Sequence, residues 1–275
     1  MKKFTAAVIQ YDSRNDKGEN LKNFCKLIDE AALKGAKLVA MAEYFNLIGD
    51  NIGEGGAEEE IPGLTIDLMR EKAIEHNMWI LCGSIAEKNH DGKPYNTSVL
   101  LSNKGEIVCK YSKLHMFDVE LNSGISAKES DTKQAGNRIV TAETELGHFG
   151  FSICYDMRFP ELYRIMALKG AQVIFVPANF TMPTGKDHWE PLLRARAIEN
   201  SCYIIAPGQI GKKTRFDAYG KSLIIDPWGN IIAKASDKNC VITAEIDYDY
   251  LQSIRDQIPS LKNRRTDVYE IKEKI

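Results

Sequence analysis

The chain lacks several features that would assign it to a class of protein at once. No stretch of its 275 residues approaches the roughly 20 consecutive apolar residues of a membrane span, so no membrane partner is expected. The formal net charge is only −2, which gives no electrostatic reason to expect nucleic acid as a partner. The first apolar stretch is too short for a signal peptide and is better interpreted as a strand.

The cysteine, histidine and glycine patterns do not indicate a bound metal or cofactor. The six cysteines are scattered without a C-x-x-C pair, so we expect no disulfide framework and a cytoplasmic, reducing location. The histidines show no H-x-x-H or H-E-x-x-H spacing, which argues against a metal site. Gly53–Gly56 has no preceding strand and no following G-K-[ST], so it is no phosphate loop. We expect neither a metal nor another cofactor.

Strands and helices alternate along the whole sequence without a linker-like segment. Hydrophobic residues make up 44% of the chain, enough for a sizeable core. The pattern predicts one layered α/β domain over residues 1–275, with residues from about 258 to 275 forming a tail that docks on the domain or on a partner subunit. The pattern predicts, among others, strands at Phe4–Gln10, Lys37–Ala42, Phe149–Cys154 and Ala218–Ile225, and helices at Glu19–Leu33, Glu161–Leu168 and Asp187–Asn200.

Three chemically reactive side chains stand at or just beyond the ends of apolar strands. They are the carboxylate of Glu43, the ammonium of Lys113 and the thiol of Cys154. Strand ends of open α/β sheets converge on the ligand crevice, and a helix start near Cys154 can also lower a thiol pKa. Together the three groups could remove a thiol proton, stabilise an oxyanion and attack a carbonyl carbon. Each also has an ordinary alternative: a buried core thiol, a turn cap and a solvated surface lysine.

The residues around these positions resemble the motifs of the nitrilase, or carbon–nitrogen hydrolase, superfamily. Cys154–Glu161, with the sequence Cys-Tyr-Asp-Met-Arg-Phe-Pro-Glu, is similar to its nucleophile motif. Ala42–Phe45 is similar to its general-base motif, and Lys110–Phe117 to its lysine motif. The resemblance continues in order over nearly the whole chain. It implies a four-layer α-β-β-α sandwich and a homodimer.

The resemblance also implies a role for each reactive residue in amide hydrolysis. Glu43 is expected to be the general base, Lys113 the oxyanion stabiliser and Cys154 the nucleophile that forms a thioester. The backbone N–H of Tyr155 is expected to be a second oxyanion donor. A fifth residue, Glu129, matches the second glutamate of many members, which positions the lysine and the substrate.

Two points in this comparison stay open. Glu120 lies near Glu129 in the sequence and is a second candidate for the same position. A catalytically silent binding or scaffold protein with the same fold is a separate alternative, although it has no need for all three reactive side chains.

Within the superfamily, the nucleophile motif is most similar to the ω-amidases and the deaminated-glutathione amidases. This implies a small-molecule substrate, such as the ω-amides α-ketoglutaramate or succinamate, with deaminated glutathione or N-carbamoyl amino acids as alternatives. Arg158 is the candidate for the distal carboxylate, although an internal pair with Asp156 or Glu161 is its alternative. Phe180 is expected to cover the acyl chain and Thr184 to contact the carboxylate, unless both belong to a surface turn.

The remaining expectations concern specificity and packing. Asp118–Ser126 and Gly208–Tyr219 are expected to tune the choice of substrate. His188 and Trp189 are expected to serve helical packing and structural hydrogen bonds, not catalysis.

Overall fold

The computed structural model describes residues 2–48, 58–120 and 126–274 of the chain. These residues form two large mixed sheets. The first has the strand order β16-β1-β2-β3-β4-β5. Its strands are β1 Lys3–Gln10, β2 Leu38–Ala40, β3 Trp79–Glu87, β4 Tyr95–Leu101, β5 Ile107–Ser112 and β16 Cys240–Asp247.

The second sheet has the strand order β15-β14-β11-β10-β9-β8. Two small hairpins accompany the sheets. The strands of the second sheet are β8 Thr141–Thr144, β9 Gly147–Phe151, β10 Val173–Phe175, β11 Tyr203–Ala206, β14 Leu223–Ile225 and β15 Ile231–Lys234. The hairpins are β6 Asp118–Glu120 with β7 Ser126–Lys128, and β12 Ile210–Lys212 with β13 Asp217–Tyr219.

Strand β1 shows why both faces of the first sheet are buried. Successive side chains of a strand point to opposite faces. Ala6 and Val8 therefore join the core that includes the second sheet, whereas Ala7 and Ile9 join the core formed with the outer helices. A sheet covered on both sides needs continuous apolar strands, which is the pattern that the sequence shows here.

Helices close the two outer faces. Asp16 caps the first helix by accepting a hydrogen bond from the Glu19 N–H at 2.9 Å. A Cβ on Gly150 would contact the side chains of Met166 and Ala171, which places the third helix on the outer face of the second sheet. The helices are α1 Lys17–Leu33, α2 Leu64–His76, α3 Pro160–Leu168, α4 Met182–Thr184, α5 Glu190–Asn200 and α6 Tyr248–Gln257. The layers α1/α2, first sheet, second sheet and α3/α5 confirm the expected four-layer α-β-β-α sandwich.

Among the element boundaries that differ from the sequence-based expectation, three have a clear cause in the backbone. The strand before the thiol ends at Phe151, because Cys154 has a φ of 48° and begins a 3₁₀ turn over Cys154–Arg158. The strand expected at 218–225 is split, since Gly220 and Lys221 both have positive φ. The helix expected from residue 187 begins as a π turn, Gly185–Trp189, because Pro191 lacks the N–H that a continuous helix would use.

The C-terminal tail contacts the domain near its end. Glu273 accepts hydrogen bonds from the Ile139 N–H at 3.0 Å and from the Lys169 ammonium at 2.6 Å. Docking of the tail on a partner subunit stays a prediction. Part of the expected loop that includes Gly53–Gly56, and part of the specificity segment Asp118–Ser126, lie outside the described residues. No helix in the described ranges is long and apolar enough to cross a membrane.

Candidate active site

Cys154 lies on a strained turn between β9 and α3. Its φ of 48° is in the left-handed region, which a residue with a side chain rarely adopts and which costs about 1–3 kcal/mol. Its N–H donates to the carbonyl of Pro177 at 2.9 Å, and this bond fixes the turn to the end of the neighbouring strand β10. The residue is 7% exposed. The thiol is therefore held on rigid backbone at the end of the second sheet.

Glu43 lies beyond the end of β2 in the first sheet. A bulge in β3 receives this segment: a Cβ on Gly83 would stand 2.0 Å from the carbonyl oxygen of Ala42, so only glycine fits there. The side chain of the next residue, Ser84, accepts a hydrogen bond from the Tyr44 N–H at 3.1 Å. These contacts direct the Glu43 carboxylate towards the second sheet, where its Oε2 accepts the Asn179 N–H at 2.8 Å.

The Lys113 ammonium lies between two carboxylates. Its Nζ is 3.1 Å from Oε1 of Glu43 and 2.8 Å from Oε2 of Glu129, and the side chain is 2% exposed. Glu129 itself is held by the Phe117 N–H at 2.8 Å. The competing candidate, Glu120, is an exposed residue of the β6–β7 hairpin. The structure thus brings together Glu43, Lys113 and Glu129, and it leaves Glu120 outside this cluster.

Burial and neighbouring charges act in opposite directions on the cluster. Burial alone would lower the pKa of Lys113, but the carboxylates of Glu129 and Glu43 outweigh it and raise that pKa well above its ordinary value. Burial alone would raise the pKa of Glu129, but the Lys113 ammonium and its other donors hold it below its ordinary value. Lys113 is therefore a cation and Glu129 an anion at neutral pH.

The thiol of Cys154 is not acidified. Burial raises its pKa well above the ordinary value, the nearby Glu43 carboxylate raises it further, and the Lys113 ammonium only partly opposes these effects. The idea that a helix start lowers this pKa is wrong, since α3 begins only at Pro160 and Cys154 itself lies in a 3₁₀ turn. The Glu43 carboxylate lies beside the thiol and is the nearby group that can accept its proton.

Arg158 lies in an aromatic surrounding next to the thiol turn. Its guanidinium is 5.8 Å from the ring centre of Tyr155 and 5.4 Å from that of Phe180. Its terminal nitrogens lie 3.3 and 3.4 Å from Nδ1 of His188. Among the described residues Arg158 forms no ion pair with a carboxylate, so the alternative of an internal pair with Asp156 or Glu161 is wrong.

The other two expected pocket residues lie on the segment after β10. Phe180 is buried and packs against Trp189, with ring centres 5.3 Å apart. The hydroxyl of Thr184 lies 2.8 Å from that of Thr181, within the same turn. Trp189 is fully buried and donates to the Lys221 carbonyl at 2.8 Å, which is the structural role expected for it.

Several residues of the site were not predicted from the sequence. Asn96, fully buried at the start of β4, donates to Glu43 at 2.9 Å and lies 3.3 Å from Glu129. The fully buried Gln209 donates to the backbone carbonyl of Glu43 at 3.1 Å, so one of the two expected specificity segments also holds Glu43 in place. Nothing in the local sequence of either residue marks it, because both contacts depend on how distant strands align.

A group of metal-ligating type lies away from the cluster, on α1 and α2. Within the described part of the chain, Asp29, Glu75 and His76 have ligand atoms close together. The Lys72 ammonium already contacts two of them, Asp29 at 2.7 Å and Glu75 at 2.8 Å. The Lys72 ammonium thus balances part of the negative charge of this group.

Comparison with known proteins agrees with the fold and identifies the family. The carbon-nitrogen hydrolase family model matches residues 5–256. A deaminated glutathione amidase of Synechocystis is 42% identical over 269 residues, covering 96% of this chain and 99% of that protein. The omega-amidase NIT2-A of Xenopus laevis is 39% identical over 275 residues, covering 100% of this chain and 99% of that protein.

The solved structures give the same result. The crystal structure of the C. elegans NitFhit protein superposes with a TM-score of 0.89 at 35% identity, covering 98% of this chain and 67% of that chain. The fold and the family match together define the class of protein, an enzyme that hydrolyses carbon–nitrogen bonds. The chain belongs to the carbon-nitrogen hydrolase family, and the amidohydrolase expected from the sequence is confirmed.

Proposed function

We propose that the protein is a cysteine-dependent amidohydrolase that cleaves a small ω-amide of a dicarboxylic acid, such as α-ketoglutaramate or succinamate. The observation that carries the proposal is the cluster in which the Glu43 carboxylate contacts the Lys113 ammonium at 3.1 Å and lies beside the Cys154 thiol. A nucleophile, a base and a cation within contact of one another are the parts that acyl transfer requires.

The reaction would proceed in two halves. Glu43 takes the thiol proton while Sγ of Cys154 attacks the amide carbon, and the developing oxyanion is stabilised by the Lys113 ammonium and the Tyr155 backbone N–H. Protonated Glu43 then gives its proton to the leaving nitrogen, so that ammonia departs and a thioester remains. A water molecule, deprotonated by Glu43, attacks the thioester carbon, and release of the carboxylate product returns the proton to the thiol. Glu129 would hold Lys113 in place throughout.

The choice of substrate class depends on Arg158. Its guanidinium lies beside the nucleophile turn without a carboxylate partner among the described residues, and it is flanked by Tyr155, Phe180 and His188. A free guanidinium can hold a carboxylate by two parallel hydrogen bonds. Phe180 would cover the acyl chain, and Thr184 would contact the same carboxylate. Deaminated glutathione is the second candidate, because a relative of that activity is 42% identical to the chain.

Ammonia release tests the proposal. The wild-type protein should release ammonia from α-ketoglutaramate or succinamate, and Cys154→Ala should abolish this release while the circular dichroism spectrum is unchanged. Cys202→Ala is the matched control, since its thiol is also buried, with its pKa raised to about 12, but contacts the Arg196 carbonyl instead of Glu43. Mass spectrometry of the quenched reaction should find the acyl group on Cys154. An acyl group on another cysteine would refute Cys154 as the nucleophile. Faster turnover of deaminated glutathione or of N-carbamoyl amino acids would refute an ω-amide as the preferred substrate.

We also propose that the protein is a homodimer in the cytoplasm. What supports the dimer is exposed apolar surface outside the second sheet: Ile198 on α5 is 51% exposed, and Trp228 on the adjoining turn is 48% exposed. The scattered cysteines, none of them in a disulfide among the described residues, support a reducing compartment. Light scattering should give the mass of two chains for the wild type and of one for Ile198→Lys.

A further inference from the structure

The Asp156 carboxylate is fully buried and has every acceptor position in use. Its Oδ2 accepts the Ile153 N–H at 2.8 Å and the Tyr111 hydroxyl at 2.6 Å. Its Oδ1 accepts the His115 N–H at 3.0 Å and lies 2.7 Å from Nδ1 of the same residue. The two oxygens thus have four polar contacts, which come from the backbone and the side chains of three residues. The cost of burying its charge is offset only while all these contacts persist.

The donors come from the two segments that carry the reactive side chains. Asp156 is two residues beyond Cys154, whereas Tyr111 and His115 are two residues before and two residues after Lys113. The Asp156 carboxylate therefore contacts the lysine segment on both sides of Lys113 and connects it to the turn of the nucleophile. This contact crosses from the first sheet to the second.

The other backbone contacts of Lys113 stay on the first-sheet side. Its N–H donates to the Asn96 carbonyl at 2.9 Å, and its carbonyl accepts the Gly136 N–H at 2.8 Å. Cys154 is bonded through its backbone to Pro177, at the end of the second sheet. Glu43 also spans the two sheets, but its carboxylate must accept and release a proton in each turnover. Asp156 is thus a hydrogen-bonded connection between the two segments that takes no part in the proposed proton transfers.

We propose that Asp156, with Tyr111 and His115, is a positioning device that sets the distance between the Lys113 ammonium and the Cys154 sulfur. The imidazole of His115 is kept in the plane needed for this contact by stacking on Phe159, with ring centres 3.6 Å apart and planes at 7°. Burial, and then the Asp156 charge, raise the pKa of Tyr111 well above its ordinary value, so its hydroxyl remains a donor.

The inference rests on the proposed roles of Lys113 and Cys154, and the chain supplies a matched pair of variants to test it. Tyr111→Phe removes the 2.6 Å bond to Asp156, and Tyr163→Phe removes a 2.7 Å bond to the Ser152 hydroxyl. Both tyrosines are fully buried and lie beside the nucleophile turn, but only Tyr111 belongs to the lysine segment. Asp156→Asn is the stronger variant, because either orientation of the amide places its NH₂ against a backbone N–H.

Three measurements distinguish positioning from plain stabilisation. A displacement of about 1 Å can cost about a hundredfold in rate, so we expect kcat to fall about a hundredfold in Asp156→Asn and about tenfold in Tyr111→Phe, with KM within about threefold of wild type. The Lys113 ammonium lowers the pKa of the Cys154 thiol, so moving it away should shift the pH profile of alkylation by iodoacetamide to higher pH. Tyr163→Phe should keep both kcat and the pH profile of the wild type, whatever its thermal stability.

The possible outcomes separate the two proposals. If Tyr111→Phe and Tyr163→Phe lose kcat equally and neither shifts the alkylation profile, the Asp156 contacts stabilise the fold only, and the positioning role is refuted. If Cys154→Ala still releases ammonia, the proposed function itself fails, whichever result the tyrosine variants give. Should Asp156→Asn fail to fold, the tyrosine pair alone decides the question.

Discussion

Replacing Lys113 by methionine would leave two buried carboxylates without their cation. In the wild type the ammonium lies 3.1 Å from Glu43 and 2.8 Å from Glu129, and its side chain is 2% exposed. Methionine fills a similar volume, so the change removes charge with little loss of packing. Breaking a buried ion pair by removing one partner costs about 3–5 kcal/mol, because the remaining charge stays buried and uncompensated. We expect Lys113→Met to lower the free energy of unfolding by about that amount at pH 8.

The pH dependence of the loss follows from the same geometry. Without the ammonium, burial and mutual repulsion raise the pKa of one carboxyl above its unfolded value of about 4.3. A group whose pKa is raised in the folded state contributes stability below the unfolded pKa and loses it as the pH rises through the folded pKa. In the wild type the pKa of Glu129 is instead lowered, so its contribution is present above that range and lost as the pH falls. The difference between the two proteins should therefore grow from pH 5 to pH 8.

Urea unfolding followed by tryptophan fluorescence at several pH values measures this difference. Lys3→Met is the matched control, because Lys3 also contacts two carboxylates, Glu245 at 3.1 Å and Asp247 at 2.8 Å, but is 51% exposed. Exposed pairs contribute little, so its loss should be a small fraction of the loss in Lys113→Met. Equal losses in the two variants, or a loss in Lys113→Met that does not change with pH, would refute the reasoning.

Three further predictions concern single side chains of the site. Arg158→Met should raise KM for α-ketoglutaramate about tenfold or more, because a hydrogen bond to a charged group contributes about 1.5–3 kcal/mol. For butyramide, which has no carboxylate, kcat/KM should change by less than about threefold. Glu129→Gln should flatten the loss of stability below about pH 5 in acid titrations, since the pKa of Glu129 is lowered in the fold. Burial and then Glu43 raise the pKa of Cys154, so Glu43→Gln should lower it, which the ultraviolet absorbance of the thiolate would report. An unchanged KM in Arg158→Met would contradict the first prediction, and an unchanged loss of stability in acid in Glu129→Gln the second. An unchanged thiolate titration in Glu43→Gln would contradict the third.

The parts of the site that lie next to a strand end could be predicted from the sequence. Glu43 and Cys154 follow continuous apolar stretches, which identify buried strands, and parallel strands of such sheets end at the same edge. Pairing β1 and β3 with β2, and β10 with β9, places these ends as expected. Lys113 follows directly after the end of β5, as the strand pattern predicted, and the motif similarity then gave it an expected role.

The contacts that depend on register could not be predicted. Asn96 reaches Glu43 because β3 and β4 pair with a shift between Cys82 and Ile85, and no local pattern announces that shift. The positive φ of Cys154 could not be predicted either, because cysteine has no preference for the left-handed backbone region. Backbone strain at this point is maintained by the surrounding contacts, which are formed only in the complete fold.

The charges of the cluster explain why the thiol is protonated at rest. Glu43 and Glu129 carry one more negative charge than Lys113 can neutralise, and the site is buried. A thiolate at Cys154 would be buried and would lie beside the Glu43 carboxylate, which is why the pKa of Cys154 is raised although an ammonium is close by. Transfer of the thiol proton to Glu43 avoids that cost, because the total charge of the site does not change. In the proposed mechanism the thiolate is therefore formed only as it attacks, because Glu43 accepts the thiol proton in the same step.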